Sequence, residues 1–229
     1  MRTHKFGAVL GCVLAAWLAS AAPAAMSVSD RSADEAAMRE LLEGDRGRRE
    51  SWTSAPTLVI VSSVLDYKAG DLSTGFVATG DHLTPTELTQ LQSDLTGALD
   101  VLTAGTIKSF RAVELAPASA GDVVKVIRPG QIVVGRFRGV QSKTGNLGYG
   151  ARLTRASGAI ASAVVILDAA ADRQAARRQL MRTHELGHAL GYNHVESRPS
   201  VMNPRAGSSI TDFDRTAIQA AFSDGFGRF

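Results

Sequence analysis

HELGHALGYNH, residues 184 to 194, is the stretch from which the rest of the chain is read. It sets His184, Glu185, His188, Gly191 and His194 in the pattern H-E-x-x-H-x-x-G-x-x-H. On a helix, residues i and i+4 lie above one another on one face, so His184 and His188 can aim two imidazoles at one metal ion. Glu185 follows the first ligand and can reach a water at that ion without being a ligand itself. Gly191 can end the helix in a left-handed conformation that a residue with a Cβ resists. The chain can then turn back and bring in His194 as a third ligand. Three neutral nitrogens with one open position describe a catalytic zinc site, because structural sites are usually closed by four protein ligands. The plain alternative is a surface helix with solvated histidines. Against it, three of the chain's five histidines fall inside this one stretch.

The composition sets bounds on the rest. A chain of 229 residues, 45% hydrophobic and 21% charged, fits one globular domain with a sizeable core plus extra segments. The formal net charge is +3. Without Arg2 and Lys5 the balance is 23 basic against 22 acidic residues, which makes no case for nucleic acid or an acidic membrane surface as partner. Residues 1–24 read as a secretory signal peptide. Arg2, His4 and Lys5 form a basic start, Phe6 to Leu18 is an apolar run too short to span a bilayer comfortably, and Ala22-Pro23-Ala24 offers a cleavage site. The expected location is therefore secreted or periplasmic, with no stable membrane insertion after signal removal. Cys12, the single cysteine, lies inside this segment. The mature chain would then have no disulfide and no thiolate ligand.

Residues 25–56 read as an N-terminal helical extension or a short pro-segment. Ser32 and Glu35 make a capping box, and Ala33, Ala37, Met38, Leu41 and Leu42 recur at helical spacing before Gly44. A helix packed on the domain is the preferred reading over a removable cover, because no residue in it is an obvious metal-blocking ligand. The main domain, 57–229, opens with TLVIVSSVL at 57–65, nearly continuous and β-branched as a buried strand should be. Residues 66–75 read as loop. Thr84, Pro85 and Glu87 predict a helix start, and Leu88, Leu91, Leu95, Ala98, Leu99 and Leu102 give it one apolar face to about 103. His82 just before it reads as an exposed loop histidine.

Ser109 to Leu115 and Gln131 to Phe137 predict two strands; Asp122 to Ile127 fits a strand or a short helix equally. Residues 143–153 are rich in glycine, which permits bulges or close approach of another backbone, and pass into a short strand. Ile160 to Leu167 is a further strand, ended by Asp168. The long helix is predicted from about Arg173 to Leu190 with Asp172 as N-cap; Arg173, Arg177, Arg178 and Arg182 read as its solvated face. A last helix starts near Thr211, where Asp214 completes a capping pattern.

These residues resemble the metzincin clan of zinc endopeptidases. The stretch His184 to His194 matches the clan's extended motif, and Ser200-Val201-Met202 matches its Met-turn. Met202-Asn203-Pro204 looks like the matrixin form. The resemblance implies an α+β fold: a twisted, mixed, mostly parallel sheet of about five strands with an antiparallel edge strand, two long helices including the zinc helix, and a C-terminal helix after the Met-turn. It implies that Met202 packs beneath the ligands, that substrate lies extended along Leu147, Gly148, Tyr149, Gly150 and Ala151, and that Asn203 and Pro204 wall the main specificity pocket. Two features depart from the matrixin pattern. No cysteine is available as a latch outside the signal, and His82 alone cannot form a second histidine-rich zinc site. Calcium (Ca2+) is a further expectation, since matrixins can bind it where Asp168 and Asp172 flank a strand end; both residues also have simpler roles as loop and cap residues.

The activity expected is that of an exported zinc-dependent endopeptidase holding one catalytic Zn2+, acting on protein or peptide substrates, with Glu185 as general base. A non-proteolytic zinc-containing binding or adhesion module is the alternative, which retention of Glu185 disfavours. A metal-dependent hydrolase of a non-peptide bond is a third reading, made weaker by the Met-turn.

Overall fold

The computed structural model describes residues 28–44, 47–205 and 209–223. The signal-peptide expectation lies outside these residues. The architecture is α+β, with one mixed eight-stranded sheet. Chain order is α1 (Val28–Glu43), β1 (Thr57–Val61), β2 (Ser63–Asp71), β3 (Gly75–His82), α2 (Pro85–Leu102), β4 (Val113–Ala116), β5 (Val123–Val124), β6 (Gln131–Arg138), α3 (Val140–Thr144), β7 (Gly148–Thr154), β8 (Ile160–Asp168), α4 (Ala169–Asp172), α5 (Ala175–Leu190) and α6 (Asp212–Ser223).

The centre of the sheet is parallel: β4 on β1, β1 on β6, and β6 on β8. β7 pairs antiparallel with β8 and forms one edge. The continuous apolar run of β1 follows from burial on both faces. Leu58 and Ile60 face one hydrophobic cluster with the helices, while Val59 and Val61 face a second. In β8, Ala163, Val165 and Leu167 join the first cluster, and Val164 and Ile166 the second. A strand buried on both sides hides its two-residue period behind uniform hydrophobicity.

The segment read as a loop at 66–75 is instead a hairpin. β2 runs on to Asp71 and returns through β3, which pairs antiparallel with it and then with β5. Asp71 Oδ1 accepts from the backbone N–H groups of Ser73 and Thr74 at 2.7 and 2.8 Å, which shapes the turn. Its polar residues are tolerated because the ribbon's outer part is solvated, so no apolar alternation marks it. Of Asp122 to Ile127 only Val123–Val124 pairs as a strand, and β4 begins at Val113, later than Ser109.

α2 matches its predicted start: Pro85 lies in the first turn, and Thr84 and Glu87 cap one another reciprocally. α1 begins at Val28, so Ser32 is inside the helix and not its cap. Nothing in 28–31 is a proline or glycine that would stop the helix sooner. Ala37, Leu41, Leu42 and Trp52 belong to the same cluster as Leu186 and Ala189, so the extension shares the main core.

α5 starts at Ala175, and its cap residue Gln174 makes no side-chain bond. Asp172 is not that cap. It is fully buried and accepts from Arg136 Nε at 2.5 Å and from Arg182 Nε and Nη2 at 2.7 Å each. Arg182 is therefore not on a solvated face; it is 0% exposed and also donates to Asp94 at 2.8 Å. Asp168 instead caps α4 through Ala170 and Ala171 and accepts from Gln141 N–H. Both carboxylates thus already have donors, and Asp172 faces two guanidinium groups, a setting unfit for calcium.

This buried network yields two expectations. Replacing Asp172 with alanine takes from two buried guanidinium groups the carboxylate they share, leaving Arg136 only Glu87 and Arg182 only Asp94, and should lower stability by about 3–5 kcal/mol in urea unfolding. The Glu87 carboxyl, raised by its desolvation but pulled down further by the Thr84 backbone N–H and the Arg136 guanidinium, ends at about 2 against the usual 4.5. A depressed carboxyl stabilises the fold above its unfolded pKa and loses that contribution as pH falls through the folded one. The parent should therefore lose more stability than Glu87→Gln between about pH 5 and pH 2, read as the shift in urea midpoint.

Candidate metal centre

The site is built where α5 meets the turn that follows it. Gly191 ends the helix at φ +118°, and its N–H bonds back to Gly187 and His188 carbonyls. A Cβ there would stand 2.1 Å from the Glu50 carbonyl oxygen, so glycine is required both by conformation and by space. The reversal carries His194 back over the helix face that bears His184 and His188.

The three imidazoles converge through Nε2. His194 Nε2 lies 3.3 Å from that of His184 and 3.0 Å from that of His188. Zinc–nitrogen bonds of 2.0–2.1 Å in tetrahedral geometry place ligand nitrogens ~3.3 Å apart. These two distances suit one tetrahedral ion, and all three ligand atoms lie within 4.8 Å of one another. The ring tautomers agree with this. His184 Nδ1 lies 2.7 Å from the Val201 carbonyl oxygen, and His188 Nδ1 lies 3.0 Å from that of Tyr192. A carbonyl can only accept, so each Nδ1 carries the proton and each Nε2 offers its lone pair. Burial and its histidine neighbours hold His188 down to about 3, and burial lowers His184 and His194 as well. Each shift favours the neutral imidazole, the form a metal needs. Among the described residues, these histidines form the one group of three or more that can hold a metal ion.

Glu185 lies beside this group and is buried. Desolvation pushes its carboxyl up to about 8, partly offset by the Gly150 backbone N–H. β7 lies directly against α5 here. A Cβ on Gly150 would fall 2.2 Å from the Glu185 carbonyl oxygen and 2.5 Å from His188 Cβ; one on Gly148 would fall 2.9 Å from Glu185 Oε1. Gly148 and Gly150 thus serve close approach, as the composition suggested, whereas Gly145 ends α3 at φ +80° with open space around it. Gly148, Tyr149, Gly150 and Ala151 are on β7, whose second edge carries no strand among the described residues; Leu147 precedes it.

Met202 is buried against Gly187: a Cβ at Gly187 would be 2.5 Å from its sulfur. The turn around it hangs from α6. Asp214 accepts from Ser200 Oγ and from Val201 N–H, while also closing a capping box with Thr211. Val201 in turn holds His184. Asn203 is buried, with Nδ2 donating to the Arg198 carbonyl and Oδ1 accepting from Arg205 N–H, so its side chain braces the turn; Pro204 is exposed. Tyr192 points away from the histidines and donates its hydroxyl to the Leu102 carbonyl at 2.6 Å. His82, exposed at the end of β3, lies beside Ser63 and takes no part.

Sequence reading missed Glu50 and Arg152. Arg152 Nε donates to Glu50 at 2.6 Å, and Nη1 to the carbonyls of His188 and Tyr192 at 3.0 and 3.2 Å. Their separation in sequence leaves no local signal of the pairing. The chain matches no family model, and no curated protein matches it.

If the three nitrogens act together, His194→Ala should weaken binding of a cobalt(II) probe by more than about 100-fold, beyond the usual cost of losing an outer contact. Equilibrium dialysis decides the point; full affinity in that protein would sink the three-ligand assignment.

Proposed function

We propose that this chain is an exported zinc-dependent endopeptidase of metzincin type, matrixin-like in its Met-turn. The observation that carries the reading is the convergence of three imidazoles, with His194 Nε2 3.3 and 3.0 Å from those of His184 and His188, on the helix that also carries the buried Glu185. Donor chemistry favours zinc: three neutral imidazoles with room for a further ligand are the donor set of catalytic zinc sites. His184, His188 and His194 would hold it. When bound, zinc supplies Lewis acidity and lowers the pKa of a water it coordinates towards 7.

The protein's own groups account for the rest of the chemistry. Glu185 accepts a proton from the attacking water at its carboxylate and returns it to the departing amine. An extended peptide adds to the open edge of β7, where backbone N–H and C=O groups are available for strand pairing. Because Gly148 and Gly150 bring β7 against α5, a peptide paired there runs close to Glu185. By the metzincin resemblance, Asn203 and Pro204 are the proposed wall of the main side-chain pocket. Among the described residues no helix is long and apolar enough to cross a membrane. Export rests on the sequence of residues 1–24.

A comparison of parent and Glu185→Ala on a mixed unfolded-protein substrate tests the proposal. Both should hold equal zinc, and cleavage by the variant should fall by at least about 100-fold, the lower range for loss of a general base. A folded, processed, zinc-loaded parent that cuts nothing would favour the binding-module reading instead.

A further inference from the structure

The third ligand is held differently from the other two. His184 and His188 are steered by carbonyls behind their rings. Among the described residues, no hydrogen-bond partner backs Nδ1 of His194, and the residue is exposed in a stretch, 192–199, without helix or strand. Its place is therefore set by the main chain on either side.

That main chain is held in part by the Met-turn, where Val195 N–H donates to the Met202 carbonyl at 3.1 Å, and in part from the N-terminal extension. On one side, Asn193 N–H and Nδ2 both donate to the Leu41 carbonyl, at 2.9 and 3.2 Å. On the other, Glu40 of α1 accepts from Glu196 N–H at 2.7 Å and from Ser197 Oγ at 2.9 Å. A second clamp comes through Arg152. Its Nη2 donates to Asn193 Oδ1 at 2.8 Å, and Glu50 of the extension balances its charge in a pair only 5–13% exposed. His194 thus sits between two residues whose positions α1 sets, one before it and one two places after.

We infer that the extension, residues 28–52, is a positioning element for the third metal ligand: it braces the His194 loop and is not a removable cover over the site. The inference rests on the metal-centre reading above. The physical reason is preorganisation. Three lone pairs facing one another repel until a cation lies between them, so an unbraced loop would let His194 swing into solvent. Metal binding would then have to order that loop, and affinity would fall accordingly. Leu41, Leu42 and Trp52 lie in the main core, and Trp52 Nε1 donates to the Ala189 carbonyl at 2.9 Å, which anchors the brace to the ligand helix itself.

The test measures zinc affinity by chelator competition and cobalt(II) absorption spectra for the parent, Glu40→Ala, Glu40→Gln, Glu50→Gln and His194→Ala. Glu40→Ala and Glu50→Gln should lose about 10–100-fold in zinc affinity, the usual cost of an outer-shell contact. Their cobalt bands should move toward those of His194→Ala. Glu40→Gln keeps a carbonyl acceptor and should recover most of the affinity. Parent-like affinity and spectra in both Glu40→Ala and Glu50→Gln would overturn the inference. If the buried Glu50→Gln protein does not fold, the half-buried Glu40→Ala protein decides alone. A parent that binds no zinc overturns the metal centre itself, a result told apart because no protein in the series would then bind.

Discussion

The contact on which the site depends is the approach of two backbones, α5 and β7, across positions 148 and 150. Side chains normally keep a helix and a strand well apart. Here the missing Cβ atoms of Gly148 and Gly150 let the Glu185 peptide and the His188 side chain press on the strand itself. One consequence is the burial of Glu185, which removes its carboxylate from water and raises its proton affinity. Another is that β7, already an edge, is fixed beside the imidazoles instead of being screened from them.

Everything around that contact serves to hold three nitrogens against their own repulsion. Each brace comes from a different part of the chain. The turn at Val201 holds His184, and that turn hangs from Asp214 of α6. The Tyr192 carbonyl holds His188 and is itself held by Arg152. The extension holds the loop of His194 from outside. Behind the site, Arg182, two residues before His184 on α5, joins Arg136 and Asp172 in a buried ion network that ties the sheet to α4 and α5. Such a network is weak evidence for net stability, but losing one member leaves buried charges undercompensated.

The fold was legible where periodicity and capping were strong. α2 announced itself through Thr84, Pro85 and Glu87, and β1 and β8 through uninterrupted apolar runs. The β2–β3 hairpin was not legible, because its outer residues are polar and its pairing depends on a bend and irregular register. Asp172 was misread for a related reason. An acid ahead of a helix looks like a cap, and only the fold brings two arginines onto it from β6 and α5.

By itself the sequence determined which residues meet at the centre, because a four-residue helical spacing and a helix-ending glycine are local geometry. It also determined the identity of the carboxylate beside them. Only the tertiary structure decided the ring tautomers, the burial of Glu185 and the bracing of His194. Those depend on carbonyls and carboxylates from positions such as Val201, Tyr192 and Glu40. Long-range contacts of that kind leave no periodic mark on the chain, since the partners are chosen by where the backbone passes and not by spacing along it.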